Sequence, residues 1–473
     1  MKMKNAFAKR GTAAAAALLM LLSAAGCAGT GSESSGTTSG GSGTGTGGDP
    51  TDLMSIEMPT ADLSDNSKVL KVFGWSTMAD NQTDGEAAEY FQQEFGVTIE
   101  ETVSTHDNYW SDLARMVSAG TAPDVVDLSE DKYFPVPVVN GLLEPWDDLI
   151  DFSSALWANT QEANEANKWR DKIYFPIVSE YVKTWCFYNK NMFKNYGLED
   201  ENPRTLWQNG EWTLDKMVEL SDQFIEKNRR NEITQWGLTV QNLELLSITG
   251  VQLVGINNGT EVVNNFTNEK IAKVFNDTYP ISEAGSGSFT MSMDACPVFE
   301  QEQCAMLISA STLLTETRFA HLREADNLGF GPMPRLDDET PQVVEMSIDP
   351  GYGLITGTEN KELAALWLNY LKWFRLGEHP CAEVPVTEDT PAKARYNLEA
   401  DTSVMSEEDI AFINEFLDSN PQKVYTTYRS IVQNMGDLTT FKWEFFTGKV
   451  QWSSAIQQLS PLYQAQLEKW VSA

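Results

Sequence analysis

KVLKVFGWS (residues 68–76) begins the stretch of sequence that decides the fold class, and DVVDLSED (residues 124–131) ends it. The first contains a short β-rich run from Lys68 to Phe73, and the second contains an apolar run from Asp124 to Leu128. Another run that is typical of a strand, Val97 to Val103, lies between them. The segments that connect these three runs therefore decide how the strands pair.

Both connections have the pattern of an amphipathic helix. Asp84 is a suitable N-cap for a helix that continues to Phe95. Asp107 is a suitable N-cap for a second helix, which Gly120 ends. The apolar face of the second helix consists of Tyr109, Trp110, Leu113, Met116 and Val117. The order β-α-β-α-β predicts an α/β fold in which helices and right-handed crossovers cover a parallel sheet.

Sheets of this class bind ligands beyond the carboxyl ends of their strands. Trp75 directly follows the first predicted strand, and Glu130 and Asp131 follow the third. This rule makes the three residues candidates for ligand binding. Each also has an ordinary explanation, which is core packing for Trp75 and surface charge for the two acidic residues.

The N-terminus has the organisation of a secretory signal peptide. A basic segment precedes an apolar run from Ala13 to Leu22 and the small residues Ala24-Ala25-Gly26. The apolar run is shorter than the ~20 residues of a membrane-spanning helix. We therefore predict that residues 1–26 are a signal peptide. Cys27 follows directly, which resembles the lipobox of bacterial lipoproteins and implies lipidation of Cys27; the alternative is an ordinary signal peptide with an incidental cysteine.

A segment of low complexity follows the predicted lipidation site. Almost every residue from Ala28 to Gly48 is Gly, Ser or Thr. Such a segment has no apolar surface to bury and behaves as a flexible coil. We predict that residues 27–66 tether a lipid to a folded protein that begins near Ser67.

The composition limits the classes of partner. The remaining ~400 residues are too many for one core and fit two domains. The net charge of -34 repels nucleic acid and other polyanions, although it also serves simply to keep an exported protein soluble. No nucleic acid is expected as a partner, and the lipid is the only membrane attachment expected.

The cysteines and histidines do not form a metal-binding pattern. Four cysteines beyond residue 27 allow three disulfide pairings, and the sequence selects none of them; these are Cys186, Cys296, Cys304 and Cys381. Free buried thiols are the favoured alternative in a chain that can build its own core. The three histidines are scattered, namely His106, His321 and His379. Neither a metal site nor a cofactor is expected.

Further strand and helix patterns extend beyond the first stretch. A long extended segment, YFPIVSEYVKTWCFYN, covers residues 174–189. Short strands are expected at Trp236–Val240 and Ala305–Ile308, and an extended run at Val343–Thr356 is interrupted by Pro350-Gly351. Lys361–Phe374 has the pattern of an amphipathic helix, and the C-terminal region is also helical in pattern.

Several short motifs, in this order, resemble those of the family 1 extracellular solute-binding proteins, the maltose-binding-protein-like components of ABC importers. Each motif alone is weak, but their shared order across most of the chain is specific. The motifs are GTAPDVV (120–126), GLLEP (141–145), YFP (174–176), FYNK (187–190), EWTLD (211–215), AMLI (305–308) and KELA (361–364).

The resemblance implies two α/β lobes joined by extended crossovers, with the ligand held between them. Two crossovers are expected near residues 178–181 and 343–347, and a third near 382–385. The expected N-terminal lobe contains residues 67–179 and 345–382. The expected C-terminal lobe contains residues 180–344 and 383–473.

A neutral sugar needs aromatic planes for its C–H faces and polar side chains for its hydroxyls. Trp75 is a candidate for the first role, and Glu130 and Asp131 are candidates for the second. Glu180 lies in the first crossover, at the position that contacts sugar in members of the family. The resemblance thus implies that Glu180 binds the ligand.

The second lobe and the second crossover contribute further candidates. Trp236 begins a predicted strand, and Tyr352 lies beside Pro350-Gly351, where it is able to close over a ligand. Ser311 and Thr312 follow a predicted strand at a place where relatives often carry a stacking tryptophan. The absence of tryptophan there favours a sugar that is held differently from maltose.

We therefore expect a monomeric, lipid-anchored substrate-binding component of an ABC importer, located on the extracellular face of the cytoplasmic membrane. Its expected partners are a sugar or oligosaccharide and the permease subunits. The alternatives are a binder of a polyamine or peptide, and an anchored glycan-degrading enzyme. We expect no enzymatic activity, since no catalytic motif stands out among the 68 acidic residues.

Overall fold

The computed structural model describes residues 56–64, 68–80, 82–105, 108–128, 135–241, 244–281, 289–292, 296–314, 316–376, 405–425 and 451–472. All of these residues belong to a single compact unit. Within them, no helix is both long enough and apolar enough to cross a membrane.

Strands and helices are numbered along the described chain. The strands are β1 Val69–Gly74, β2 Thr98–Val103, β3 Val125–Asp127, β4 Leu143–Glu144, β5 Ile177–Val182, β6 Thr184–Asn189, β7 Glu226–Lys227, β8 Ile233–Gln241, β9 Val254–Asn257, β10 Glu261–Asn264, β11 Phe289–Ser292, β12 Cys304–Ala310, β13 Leu328–Gly331, β14 Val343–Pro350, β15 Tyr352–Ile355 and β16 Gln422–Tyr425. The helices are α1 Gln82–Phe95, α2 Tyr109–Ser118, α3 Val136–Val139, α4 Gln161–Ala166, α5 Lys190–Asn195, α6 Pro203–Gln208, α7 Leu214–Gln223, α8 Glu269–Thr278, α9 Cys296–Glu300, α10 Ala320–Glu324, α11 Lys361–Arg375, α12 Glu407–Asp418 and α13 Trp452–Ser472.

The first sheet has the strand order β2-β1-β3-β15-β4. Strand β1 pairs in parallel with β2 and β3, as the β-α-β-α-β pattern predicts. Strand β15 returns from far along the chain and pairs antiparallel with β3, so the sheet is mixed. Val125 and Val126 lie in separate core clusters because successive strand side chains point to opposite faces.

Helices cover both faces of the first sheet. On one face, α1 and α11 pack together over Leu70 and Val72. Residues 56–64 join this layer, and Leu63 is buried there. The ordered protein therefore begins before Ser67, which was the boundary predicted from the sequence. The polar stretch carries enough spaced apolar side chains to pack against the sheet.

The second sheet has the order β11-β8-β12-β6-β13, with β7 paired to β8. Strands β11 and β12 both run parallel to β8, whereas β6 runs antiparallel to β12. Helix α7 packs on β8 and begins at Thr213, whose side chain accepts a hydrogen bond from the backbone N–H of Lys216. This hydrogen bond makes Thr213 the N-cap of α7.

A small third sheet, β16-β14-β5, connects the other two and is called the connecting sheet below. Strand β14 pairs antiparallel with β5 and parallel with β16. Strands β5 and β14 coincide with the two crossovers expected near residues 178–181 and 343–347. The third crossover, expected near residues 382–385, lies outside the described residues.

Candidate functional site

The connecting sheet joins the carboxyl edges of the other two sheets. At one end, β14 leads into β15, whose Tyr352 pairs with Asp127 at the end of β3. At the other end, β5 leads into β6, whose Thr184 pairs with Ala310 at the end of β12. The edges at which ligands bind in parallel sheets therefore both adjoin this sheet.

Trp75 lies at the first of these edges and is exposed. Its side chain is 40% accessible, although tryptophan in this protein is mostly buried. The chain turns back closely on itself next to Trp75. A Cβ atom at Gly74 would lie 2.7 Å from the carbonyl oxygen of Ser76. The glycine therefore permits a sharp turn directly after β1.

The neighbouring strand end extends the apolar surface beside Trp75. Val103 ends β2, pairs with Gly74 and is 47% exposed. Buried Met78 anchors the loop that carries Trp75, and its backbone N–H donates to Glu101 Oε1 at 2.6 Å. An exposed indole and an exposed valine thus lie at adjacent strand ends.

One face of the connecting sheet carries ion pairs at both ends. Ser179 donates to Asp349 at 3.2 Å, and Arg375 pairs with Asp349 and with Asp84. Burial raises the pKa of the Asp84 carboxyl above its usual value, although Arg375 acts in the opposite direction. This cluster links the end of α11 and the first turn of α1 to strand β14. It also corrects the predicted role of Asp84, which lies inside α1 instead of capping it.

At the other end of the same face, Lys183 joins two carboxylates. Its Nζ lies 2.5 Å from Glu345 Oε1 and 2.7 Å from Glu244 Oε2. All three side chains are buried, with at most 10% of each exposed. Thr184 also donates to Glu244 at 3.2 Å. The cluster holds the segment that follows β8 against the connecting sheet.

Glu180 points to the opposite face of the connecting sheet, because side chains alternate along β5. Its oxygens accept from Lys423 Nζ at 2.5 Å and from the Tyr425 hydroxyl at 2.8 Å. Burial raises the pKa of Tyr425, and the neighbouring Glu180 raises it further. Both carboxylate oxygens of Glu180 thus accept hydrogen bonds from side chains of β16. Direct contact between Glu180 and a sugar stays a prediction.

Lys372 lies in α11 and is fully buried. Its Nζ is 2.6 Å from Asn159 Oδ1, 3.1 Å from Thr160 Oγ1 and 2.8 Å from the carbonyl oxygen of Val178 in β5. Burial lowers the pKa of Lys372 to about 7; Glu180 and Asp349 oppose this change, and Arg375 adds to it. The Lys372 amine donates to all three of these oxygens, so the buried nitrogen has a partner on each side.

This arrangement predicts a pH dependence of stability. Between about pH 7 and pH 10.5 the unfolded chain keeps a proton on Lys372 that the folded chain has released. Stability attributable to Lys372 therefore rises with pH across this window, by up to about 1.4 kcal/mol per pH unit. Urea unfolding at pH 7, 8 and 9 should show a steeper rise for the wild type than for Lys372→Met. Parallel pH profiles would contradict the assignment.

The structure brings some of the predicted site residues together and separates others. Ser311 and Thr312 directly follow β12 at the second carboxyl edge, where the Ser311 N–H donates to the carbonyl oxygen of Lys183. Trp236 pairs with Cys304 at the start of β12, so it lies at the opposite edge of that sheet. One small ligand therefore does not reach both places.

Tyr352 is buried in the core of the first sheet and is only 6% exposed. Its ring packs near Trp367, and burial raises the pKa of its hydroxyl well above the usual value. The buried position of Tyr352 does not support the prediction that its side chain closes over a ligand. Glu130, Asp131 and Cys27 lie outside the described residues.

Two of the four cysteines whose pairing was left open are described completely. Cys186 and Cys304 are free and buried, and burial raises the pKa of both thiols. Within the described part of the chain, no group of His, Cys, Asp and Glu side chains is arranged to hold a metal ion.

No pattern in the sequence indicated the ion-pair partners in these clusters. Lys423 and Tyr425 lie in a C-terminal strand that was predicted only as part of a helical region. Glu244 lies in a short 3₁₀ helix, Glu244–Thr249, that has no strand pattern. The predicted strands indicated only that polar side chains would lie near the carboxyl ends of the strands.

Comparisons with known proteins agree on the fold. Three solved structures illustrate the likeness: an ABC substrate-binding protein from Listeria monocytogenes in complex with cycloalternan, the GacH receptor of Streptomyces glaucescens, solved without ligand and with acarbose, and a cyclo/maltodextrin-binding protein with maltotetraose. Their TM-scores are 0.54, 0.55 and 0.59, and their identities are 16%, 16% and 15%. Each alignment covers 85% of this chain and 99%, 98% and 98% of the other chain, respectively.

These likenesses confirm the predicted α/β fold of two lobes joined by extended crossovers. No curated protein matches the chain. The family model for bacterial extracellular solute-binding proteins matches residues 75–372, which is well over half of the sequence. The matched region includes Trp75, both described crossovers and most of α11. This chain is therefore a member of the bacterial extracellular solute-binding protein family.

Proposed function

We propose that this protein captures a neutral sugar or oligosaccharide outside the cell and delivers it to an ABC importer. The observation that carries the proposal is the exposed indole of Trp75 at the carboxyl edge of the first sheet. A pyranose ring presents an apolar C–H face that stacks on such a plane. Glu130 and Asp131, which follow β3 in the sequence, are the proposed acceptors for the ring hydroxyls.

The structural neighbours support a sugar over other solutes. Cycloalternan, acarbose and maltotetraose are the ligands named for the three neighbours, and mannotriose is the ligand of another. The charge of this chain, -34, is compatible with a neutral ligand and unfavourable for an anionic one. The exposed Trp75 and Val103 also distinguish the site from a purely ionic one.

A polyamine is the second candidate, because carboxylates outnumber cations in the sequence. The described carboxylates near the connecting sheet are, however, already paired with Arg375, Lys183 and Lys423. A glycan-degrading enzyme is not favoured, because the family is one of substrate-binding proteins.

A thermal-shift screen of the mature chain tests the proposal. Maltotriose, maltotetraose and mannotriose are the probes, with spermidine and a peptide mixture as controls. A sugar that binds only the folded state stabilises it by about 2.7 kcal/mol at a hundredfold excess over Kd. Binding to both lobes should also close them and reduce the radius of gyration in small-angle scattering. Stabilisation by spermidine and by none of the sugars would show that the ligand is a polyamine and not a sugar.

We propose two lobes with the bounds expected from the sequence, residues 67–179 with 345–382 and residues 180–344 with 383–473. Packing of α11 on the first sheet and of α13 on β9 and β10 supports this division. Residues 56–64 are added to the first lobe, since they pack against its core. A monomer and contact with permease subunits are part of the same proposal.

We further propose that Cys27 carries a lipid that holds the protein at the outer face of the cytoplasmic membrane. The signal-like N-terminus and the Gly/Ser/Thr-rich segment support this. Cys27→Ser should release the protein into the medium or leave it unprocessed, because the acylated thiol is the only anchor proposed. Fractionation of whole cells and intact-mass measurement provide the test. A variant that stays in the membrane fraction in processed form would contradict it.

A further inference from the structure

Two tight turns from distant parts of the chain dock against each other. The first, Trp169–Lys172, is closed by a β-bridge and has positive φ at its two central residues, Arg170 and Asp171. The second, Asn257–Thr260, joins β9 to β10 and has positive φ at Asn258 and Gly259. Paired positive φ values are the signature of a type I′ turn. We call the contact between the two turns the turn pair.

Backbone and side-chain hydrogen bonds join the two turns reciprocally. The Arg170 N–H donates to the Asn258 carbonyl oxygen at 2.9 Å. The Asp171 N–H donates to Asn258 Oδ1 at 2.8 Å, and Asn258 Nδ2 donates to Asp171 Oδ1 at 2.8 Å. One asparagine thus satisfies groups of both central residues of the opposite turn, which fixes the register of the contact.

An aromatic ring closes the same contact. Trp169 is 2% exposed and its ring covers Gly259. A Cβ atom at Gly259 would lie 2.6 Å from Trp169 Cδ2, which is closer than real Cβ atoms approach a neighbour. Glycine is therefore required at this position both by its φ of 65° and by the ring.

The turn pair also concentrates backbone strain. Three of the seven non-glycine residues with positive φ in the described part of the chain lie in it, namely Arg170, Asp171 and Asn258. A left-handed conformation costs such residues free energy and persists only where the surroundings compensate. The hydrogen bonds and the buried ring supply this compensation here, so the two turns stabilise each other.

The two turns lie on opposite sides of the proposed site. We call these sides its walls: the first sheet with its helices forms one wall, and the second sheet with its helices forms the other. The first turn is tied to the first sheet, since the Ile173 carbonyl oxygen accepts from Trp146 N–H and the Ile173 N–H donates to Asp147. The second turn follows the segment held by Lys183 beyond β8 and is packed by α13. The turn pair is thus a contact between the two sides that does not involve the connecting sheet.

We propose that the turn pair is a latch that positions the two ligand-binding walls relative to each other. Its residues are positioning residues, because they are separate from Trp75 and act only through the arrangement of the walls. The latch limits how far the walls separate in the ligand-free protein, so its loss leaves more freedom to be removed on binding. This role rests on the proposed function for the identity of the solute, but the latch itself is measurable without any solute.

Gly259→Ala is the principal variant, since the added methyl group collides with Trp169. Gly197→Ala is the matched control, because Gly197 has a φ of 68° but a Cβ there meets no atom within 4 Å. Both variants carry the same backbone penalty, and only the first disturbs the contact. Asn258→Gly is a second variant, which tolerates the positive φ and removes only the side-chain bonds.

The first measurements use the mature chain without ligand. We expect amide hydrogen exchange at Asp171 to be at least tenfold faster in Gly259→Ala and Asn258→Gly than in the wild type or Gly197→Ala. We also expect the radius of gyration to increase in both of these variants and to stay unchanged in Gly197→Ala. An unchanged exchange rate or an unchanged radius would overturn the latch, whether or not a sugar binds. If Gly259→Ala does not fold, Asn258→Gly decides by the same exchange and scattering criteria.

The last measurement uses maltotetraose as the probe in calorimetry and stopped flow. We expect its Kd to rise about fivefold or more in Gly259→Ala, which is the range of ordinary coupling between sites, with no change in Gly197→Ala. Faster exchange with an unchanged Kd would show that the turns dock without positioning the walls, and would overturn the proposal. If maltotetraose does not bind the wild type, the proposed ligand fails and the scattering result alone decides the latch.

Discussion

Trp75→Ala should weaken sugar binding at least tenfold and leave the melting temperature of the ligand-free protein almost unchanged. The indole is 40% exposed, so its removal uncovers little of the core. A stacking plane in a binding site contributes more than ~2 kcal/mol when it is truncated, as binding hot spots do. That free energy corresponds to more than a tenfold change in Kd. Calorimetric titration and thermal unfolding of the same variant provide both quantities.

Conservative variants sharpen the test of Trp75. Trp75→Phe and Trp75→Tyr should retain part of the affinity, because a smaller aromatic plane still stacks on a pyranose ring. Val103→Ala removes apolar surface from the neighbouring strand end and should have a smaller effect. The opposite pattern, a large loss of stability with unchanged affinity, is what truncation of a core tryptophan produces, at ~3–5 kcal/mol. That result would remove Trp75 from the site.

Lys183→Met should lower the free energy of unfolding by about 3–5 kcal/mol. The substitution leaves Glu244 and Glu345 buried beside each other without a cation. Removing one partner from a buried ionic cluster costs far more than the cluster itself contributes, because the remaining charges stay desolvated. Urea unfolding monitored by tryptophan fluorescence measures the loss.

A surface pair provides the matched control for Lys183. Lys190 pairs with Asp326 at 2.6 Å, but the two side chains are 40% and 89% exposed. Lys190→Met should therefore change stability by less than about 1 kcal/mol. Combining Lys183→Met with Glu244→Gln and Glu345→Gln should restore part of the lost stability, since no charge then stays buried. Equal effects of Lys183→Met and Lys190→Met would contradict the buried cluster.

The two clusters give the connecting sheet a defined role. Lys183 fixes the segment after β8, and Arg375 fixes the ends of α1 and α11, both on one face of this sheet. The walls of the proposed site are thus fastened to the crossovers at their carboxyl edges. The latch acts at a different place, between two turns outside the connecting sheet, so variants of the clusters and of the latch should have separable effects.

Local chemistry in the sequence determined the elements of the fold. Apolar, β-rich runs predicted β1, β2 and β3, and the amphipathic pattern of Lys361–Phe374 predicted α11. The break at Pro350-Gly351 predicted the separation of β14 from β15. The order of these elements was sufficient to place Trp75 at a carboxyl edge, because strand order and helical connections dictate parallel pairing.

Only the tertiary structure decided which side chains share a contact. Glu180 meets Lys423 and Tyr425, which are 243 and 245 residues away, because β16 returns beside β14. Tyr352 is buried, and Trp236 lies at the far edge of its sheet. The latch requires two turns that carry no mutual signal in the sequence. Such pairings depend on strand register and on packing over long separations, whereas sequence patterns report only the conformation of neighbouring residues.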